Sequence, residues 1–231
     1  RQQYGQFSVS PSGEKVAVEI VDNQIYSINI FDIKRGRFSS FLNSKHNYAP
    51  FWGVDGEKLY YTSNRTDLSE FGLYVYDFEK QKEEEIILDG ETMGRLHVSS
   101  VSMDGNMILC FGEQKGTRSG ELYYVDFSQR KQYQLTENRL QEWGGVFSPD
   151  EKWLAYTSEK DMEGSFAIYL NRFPEMNQEI RISTGGGEEP KWLPDGSGVY
   201  YRNGSLWLKV ALDLEGEPEI GEPELFFEGD Y

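Results

Sequence analysis

The stretch FSPDEKWLAYTS, residues 147–158, joins a tight turn to a short run of strand-forming residues. Pro149 fixes φ at the second turn position, and the Asp150 side chain can accept a hydrogen bond from the backbone two residues further on. The run at 153–158 is rich in aromatic and β-branched residues, which favour strands. Together they predict the first hairpin of an antiparallel sheet.

The same turn occurs five times along the chain. The third turn positions are 12, 55, 104, 150 and 195, so the steps are 43, 49, 46 and 45 residues. Each turn is followed by an apolar strand and then by two further strand-like runs. Four strands in a period of about 45 residues are typical of a β-propeller blade. We therefore predict an all-β chain, a β-propeller with five recognisable four-stranded blades, in a single domain over residues 1–231. The blades are expected at about residues 4–43, 47–89, 96–136, 142–183 and 187–228.

All five repeats resemble a known family, the fourth and fifth most closely. Residues 147–158 and the segment GGEEPKWLPDG at 186–196 resemble the PD40 (WD40-like) repeat of TolB-like propellers. This resemblance implies the propeller fold, a bacterial protein and the periplasm or cell envelope as its location. It implies little about function, because such propellers serve as scaffolds, as substrate gates and in some cases as enzymes.

The number of blades departs from the family. The resemblance to TolB-type propellers implies a ring of six blades, whereas five turns are found here. Either five blades close by face packing alone, or a further blade lies in additional chain. The tail resembles TolB-like propellers appended to bacterial kinases and winged-helix regulators. We therefore expect this chain to be a segment of a longer protein, with a covalently attached partner domain.

Charge and hydropathy exclude several classes of partner. The net charge is −16 and the isoelectric point is about 4.6, so the chain repels nucleic-acid phosphates and anionic lipid. No apolar stretch approaches the roughly 20 residues of a membrane span, which argues against membrane insertion. Cys110 is the only cysteine and lies in an apolar run, so we expect a buried free thiol. P-loop, dinucleotide and calcium-loop motifs are absent from the sequence, so no cofactor and no metal are expected.

The candidate binding surface is the face on which the blade loops emerge. Loops held by a rigid scaffold carry binding in many folds, although solvated turn residues are the simpler interpretation of each one. The loops after the second strands are expected at residues 63–67, 113–118, 159–163 and 202–203. We predict a non-catalytic module that binds a protein or peptide there, centred on Trp143, Arg95 and Arg118. The full candidate set is Arg65, Arg95, His97, Arg118, Glu142, Trp143, Glu188, Glu189 and Arg202.

The alternative is a substrate-gating or catalytic propeller of a hydrolase or lyase. His46 and His97 are the only histidines. A catalytic role would need a carboxylate such as Glu142 or Glu188 within about 4–6 Å of one of them. Oligogalacturonate lyases resemble this repeat family, but a metal site of their kind would need more ligating histidines than these two. The G-x-S-x-G motif of prolyl-oligopeptidase-like enzymes is missing. An enzyme is therefore the less favoured hypothesis.

Four aspartates recur at the third turn position, one in each of the last four repeats. A spacing of one per blade keeps them far apart, so they do not form a carboxylate site. We predict that each caps its own turn. The four are Asp55, Asp104, Asp150 and Asp195.

Overall fold

The computed structural model describes residues 3–44, 46–67, 70–86, 96–113, 120–137, 140–162 and 164–229. For residues 65–67, 70, 113 and 162 it describes the backbone only. The described residues form strands and turns, with no helix among them. A helix long and apolar enough to cross a membrane is likewise not found in this part of the chain.

Within the described residues, twenty-one strands form five antiparallel sheets, one for each repeat. Blade 1 contains β1 (Gln3–Val9), β2 (Lys15–Asp22), β3 (Ile25–Asp32) and β4 (Arg37–Leu42). Blade 2 contains β5 (Asn47–Trp52), β6 (Lys58–Asp67), β7 (Glu70–Asp77) and β8 (Lys82–Glu85). Blade 3 contains β9 (Leu96–Val101), β10 (Met107–Glu113), β11 (Gly120–Asp126) and β12 (Lys131–Gln134). Blade 4 contains β13 (Glu142–Phe147), β14 (Trp153–Met162), β15 (Ser165–Arg172) and β16 (Ile180–Arg181). Blade 5 contains β17 (Glu188–Trp192), β18 (Gly198–Asn203), β19 (Leu206–Asp213), β20 (Glu219–Ile220) and β21 (Glu224–Glu228).

The strands of each blade pair in chain order, so the predicted all-β fold of five four-stranded blades is confirmed. In blade 5 the predicted fourth strand is β21, which pairs with β19. The two-residue strand β20 pairs with the far end of β19 and was not predicted.

The chain forms two compact units. The first comprises Arg1–Ile108 and Val125–Gln132, and the second comprises Leu109–Tyr124 and Tyr133–Tyr231. The single domain over residues 1–231 stays a prediction.

The core of the second unit lies between blades 4 and 5. Ala155 and Ile168 from blade 4 pack in one cluster with Val199, Tyr201 and Val210 from blade 5, and all five are buried. Because side chains alternate along a strand, the intervening residues of β18 face the other side of blade 5.

The core of the first unit repeats this arrangement between blades 1 and 2. Ala17 and Ile28 from blade 1 pack with Trp52, Leu59 and Tyr61 from blade 2. Aromatic side chains bury large areas, which explains how strands of only two to ten residues hold together the described part of the chain, which has no helices.

The recurrent turns have the predicted capping geometry. The carboxylates of Asp55, Asp104, Asp150 and Asp195 each accept a hydrogen bond from the backbone N–H two residues further on, at 2.9–3.2 Å. The fourth turn position has a left-handed backbone, which favours glycine. It is glycine in four turns and Glu151, with φ of 59°, in the remaining one. The turn-capping role of the aspartates is confirmed.

A β-bulge interrupts the first strand of several blades. In blades 2, 4 and 5 the register shifts just after Tyr48, Trp143 and Glu188. The next residue in each of these blades has a left-handed backbone, and in blade 5 it is Glu189, with φ of 59°. His97 lies the same distance before its turn, so it shares this position in blade 3. Because a β-bulge changes the direction in which side chains point, this position determines which side chains the first strand exposes on each face of the sheet.

Candidate functional site

Three of the nine candidate residues contact one another in the second unit, and a fourth lies in the neighbouring blade. Glu188 and Glu189 on β17 meet Arg202 on β18, and Trp143 lies on the first strand of the neighbouring blade. All four are half-buried. Arg95 and Arg118 lie outside the described residues, and of Arg65 only the backbone in β6 is described.

Arg202 binds both glutamates. Its Nε and Nη2 donate to the two carboxylate oxygens of Glu189, each at 3.1 Å, and Nη2 also donates to Oε2 of Glu188 at 3.0 Å. Nη1 donates to the carbonyl oxygen of Gly204 at 3.3 Å. A two-pronged guanidinium–carboxylate contact is stronger and more directional than a single ion pair. The three side chains therefore present a fixed array of charge at the end of blade 5.

The bulge explains how one arginine reaches two consecutive glutamates. In a regular strand Glu188 and Glu189 would point to opposite faces of the sheet. The register shift between Glu188 and Lys191, with the left-handed backbone at Glu189, brings both carboxylates to Arg202. The charge array is thus a product of local backbone geometry.

An aromatic pair lies in blade 4, next to the loop that leads into β17. The rings of Trp143 and Phe166 meet edge to face, with centroids 5.9 Å apart. Phe166 is linked to blade 5 through its carbonyl oxygen, which accepts a hydrogen bond from the N–H of Gly187 at 2.9 Å. The Asn203 amide in turn donates to the carbonyl oxygen of Gly185 at 3.1 Å. The loop that ends at β17 therefore joins the aromatic pair to the charge array.

We call Trp143, Phe166, Glu188, Glu189 and Arg202 together the loop-face cluster. Phe166 is the member that sequence reasoning missed. Phe166 lies two residues before buried Ile168 in β15, so strand alternation places both side chains on the same face of the sheet. This alternation is the sequence signal that could have identified Phe166. The cluster combines an apolar platform with fixed charges of both signs.

Glu142 lies inside the second unit. Its side chain is only 1% exposed, and the hydroxyl of Ser158 donates to its Oε1 at 3.2 Å. Burial raises the pKa of the nearby Tyr156 phenol, and the negative charge of Glu142 raises it further. Burial lowers the pKa of the Lys160 ammonium, while the charges of Asp161 and Glu142 act in the opposite direction. Glu142 therefore belongs to a buried polar network.

The two histidines lie in the first unit. Nδ1 of His97 is 3.2 Å from Oε1 of Gln6. The ring of His46 packs near Tyr26 and Tyr48, and its Nδ1 accepts a hydrogen bond from the Tyr26 N–H at 3.4 Å. Across the residues that the structure describes, no three His, Cys, Asp or Glu side chains are placed to hold a metal ion.

The comparisons with known proteins agree with the fold. No protein-family model matches the chain. Over 105 residues the chain is 28% identical to the Tol-Pal system protein TolB of Desulfosudis oleivorans, a match that covers 46% of this chain and 22% of that protein. TolB from Acinetobacter baumannii superposes with a TM-score of 0.67 at 20% identity, over 100% of this chain and 53% of that one. The chain has the β-propeller fold of TolB.

The TolB-like propeller also resembles an enzyme in fold. Oligogalacturonate lyase from Vibrio parahaemolyticus superposes with a TM-score of 0.68 at 14% identity, over 97% of this chain and 65% of that one. The TolB-like propeller spans about a fifth of the curated TolB relative and about half of the Acinetobacter protein. The predicted resemblance to TolB-like propellers is confirmed.

Proposed function

We propose that this TolB-like propeller is a non-catalytic binding module that holds a protein or peptide at the loop-face cluster. The observation that carries the proposal is the link between the half-buried Trp143–Phe166 pair and the fixed Arg202–Glu188–Glu189 array, in which the Phe166 carbonyl accepts a hydrogen bond from Gly187, the residue before Glu188. Tryptophan and arginine are the residue types that most often dominate binding at protein interfaces. An apolar contact flanked by oriented charge is the usual make-up of such a centre.

The charges favour a basic partner. Two carboxylates and one guanidinium leave the cluster with net negative charge, in a chain of net charge −16. A field of this sign attracts cationic ligands and raises their association rate at low salt. The partner chemistry that fits best is a peptide with a lysine or arginine next to an apolar side chain.

The relatives support a protein partner. The curated relative is named as a protein of the Tol-Pal system. We extend the proposal to a location in the bacterial periplasm or cell envelope. An attached domain in a longer parent chain is a further candidate partner. The exclusion of nucleic acid and of membrane insertion stays a prediction from charge and hydropathy.

The catalytic alternative rests on fold alone. Oligogalacturonate lyase shares the propeller, and a shared fold does not carry an activity with it. A substrate-gating or catalytic role therefore remains the second prediction from sequence.

Peptide selection tests the proposal without a known partner. Random 12-residue peptides displayed on phage would be selected on the wild-type chain, and the enriched sequences synthesised for titration calorimetry. We expect enrichment of lysine or arginine beside an apolar residue. Trp143→Ala and Glu189→Gln should each weaken binding about tenfold or more.

Lys152→Ala is the matched control, because Lys152 lies in an exposed turn and not in the cluster. It should bind like wild type, and all three variants should keep melting temperatures within a few degrees of wild type. If the selected peptides bind the Trp143→Ala variant as tightly as wild type, the loop-face cluster is not the binding site.

A further inference from the structure

A cleft lies between blades 2 and 3, and all the residues that line it belong to the first unit. Its volume of about 410 Å³ is that of a small-molecule site. Blade 2 lines the cleft with the face of its sheet that carries Tyr60 and Val75, which pair across β6 and β7. Blade 3 lines it with Phe127 and with the turn at Gly105. The cleft shares no residue with the loop-face cluster.

The preceding junction, between blades 1 and 2, is filled by two contacts. The Pro11 ring lies 3.5 Å from the position that a Cβ of Gly56 would occupy. Pro11 holds the second position of its turn, and Gly56 holds the fourth position of the next turn. The ring of Phe41, from the outer strand β4, stacks on Phe78 with centroids 5.2 Å apart. Blade 1 thus covers both the turn and the outer aromatic residue of blade 2.

Neither contact is repeated between blades 2 and 3. Val54 takes the position of the proline, and no described atom lies within 4 Å of the position that a Cβ of Gly105 would occupy. Phe127 makes the same backbone hydrogen bond as Phe78, but the outer strand β8 has the sequence KEEE and no aromatic side chain to stack on it. The outer part of this junction is therefore open.

Apolar side chains form the floor of the cleft. The rings of Tyr60 and Phe127 are nearly parallel, with an interplanar angle of 13° and centroids 6.0 Å apart. Tyr60 is buried, whereas Val75, Ile86 and Phe127 are half-buried and keep part of their surface exposed. Because aromatic rings pack well on one another and on aliphatic side chains, this floor suits a flat apolar ring.

Charged side chains of both signs line the rim. They are Lys58, Lys80, Lys82, Arg130, Asp77, Glu84 and Glu85. Lys80 pairs with Asp77 and Lys82 pairs with Glu84, each with 2.7 Å between nitrogen and oxygen. The Glu85 carboxylate lies 2.9 Å from the position that a Cβ of Gly72 would occupy, and Glu85 pairs with Tyr74, so it belongs to the opposite face of blade 2. The two carboxylates on the cleft face are thus already paired.

Lys58 is left over from these pairs. It is half-buried and lies opposite Asp77 in the register of β6 and β7, but the Asp77 carboxylate accepts hydrogen bonds from the backbone and the ammonium of Lys80. The turn carboxylates of Asp55 and Asp104 accept hydrogen bonds within their own turns. The Lys58 ammonium makes no ion pair with any carboxylate that the structure describes. A partly desolvated ammonium of this kind favours a carboxylate partner.

We propose that this cleft binds a small aromatic carboxylate. The ring packs on Val75, Ile86 and Phe127, and the carboxylate accepts hydrogen bonds from the Lys58 ammonium. The volume of the cleft limits the ligand to a small molecule, the floor selects a flat ring, and Lys58 selects the charge. This site is independent of the peptide site proposed above.

Cinnamate is a suitable probe, because it joins a flat aromatic ring to one carboxylate. It would be titrated into the isotope-labelled wild-type chain, with the backbone amides of Gly105 and Asn106 followed by two-dimensional NMR. We expect both amides to shift in a saturable manner, with a dissociation constant in the low millimolar range or below for a ligand of this size. Cinnamamide, which has the same shape without the charge, should bind about tenfold more weakly.

Variants of Lys58 identify the group that selects the charge. Lys58→Gln should weaken cinnamate binding about tenfold and leave cinnamamide binding unchanged, whereas Lys58→Arg should bind cinnamate nearly as well as wild type. Lys15→Gln is the matched control, because Lys15 holds the same strand position in blade 1. It should bind cinnamate like wild type, and so should the Trp143→Ala variant of the loop-face cluster.

The proposal is overturned by any of three results. The first is cinnamate that leaves the amides of Gly105 and Asn106 unshifted up to the limit of its solubility. The second is equal affinity for cinnamate and cinnamamide in the wild-type chain. The third is a Lys58→Gln variant that keeps the wild-type melting temperature and binds cinnamate as tightly as wild type. Because Trp143→Ala tests the peptide site alone, failure of one site is distinguished from failure of the other.

Discussion

Glu189 positions the charges of the loop-face cluster through its backbone conformation as much as through its carboxylate. Its φ of 59° is a left-handed conformation that disfavours any residue with a Cβ. The two hydrogen bonds to Arg202 recover part of that cost. The strain is therefore placed where the cluster needs two adjacent carboxylates on one side.

Paired substitutions separate the backbone from the side chain. Glu189→Ala and Glu189→Gly both remove the contacts with Arg202, but glycine accepts the left-handed backbone. In urea titrations, we expect the free energy of unfolding of Glu189→Gly to be about 1 kcal/mol higher than that of Glu189→Ala. At Glu188, which is not left-handed, the order should reverse because glycine costs entropy in a strand. The same order at both positions would contradict the role of the bulge.

Asp104 gives a prediction for pH. Hydrogen bonds from the Asn106 backbone, the Ser102 hydroxyl and the Asn106 amide hold the pKa of its carboxyl below the ordinary value of 3.8. A lowered folded-state pKa stabilises the protein above about pH 4, and the contribution is lost as the pH falls through the folded pKa.

The comparison variant is Asp104→Ala. At pH 7 it should melt a few degrees below wild type, and the gap should narrow toward pH 3. Because the carboxylate is almost fully exposed, solvent screens the effect and the gap stays small. A gap that stays constant from pH 7 to pH 3, measured by circular dichroism, would show that the charge of Asp104 is not what stabilises the turn.

At the scale of elements, the link between blades 4 and 5 depends on close approach. A Cβ at Gly187 would lie 2.8 Å from Cδ2 of Tyr201 and 3.0 Å from Cγ1 of Ile168, both buried. Gly204, in the next hairpin, has φ of 61° and no described atom within 4 Å of its Cβ position. The two glycines are thus required for different reasons.

Alanine at each glycine distinguishes the two reasons. Gly187→Ala overpacks the core and should lower the free energy of unfolding by about 1–3 kcal/mol. Gly204→Ala adds backbone strain alone and should cost about 1 kcal/mol. Binding at the loop-face cluster should fall with Gly187→Ala and stay unchanged with Gly204→Ala. Equal losses of stability and binding in both variants would refute this distinction.

The hairpins could be predicted from sequence because turn chemistry and strand alternation are local. Pro149 and Asp150 are sufficient for the turn, and its spacing sets the period. The polar ends of β6 and β14, expected as loops, instead extend as paired strand to Asp67 and Met162. Their pairing is between backbones, which leaves little trace in the side chains. The bulge at Glu189 is likewise a backbone feature, so the meeting of two adjacent glutamates with one arginine could not be foreseen.

At the scale of the whole molecule, charge opposes compactness. A net charge of −16 on 231 residues repels itself, and salt screens that repulsion over about 8–10 Å. We expect the melting temperature to rise by a few degrees between 20 and 300 mM NaCl. Potassium chloride should act like sodium chloride, since the effect depends on ionic strength. A melting temperature that falls with salt would show that attractive ion pairs outweigh the net repulsion.

Cys110 has a use that follows from its burial. It is fully buried in β10, and burial raises the pKa of its thiol, so alkylating reagents find neither access nor thiolate in the folded state. Alkylation must then wait for the third blade to open. In excess reagent, the rate of modification compared with that of a small-molecule thiol reports how often that opening occurs. Mass spectrometry of the intact chain can follow this modification of Cys110, and so the opening of the third blade, without any added label.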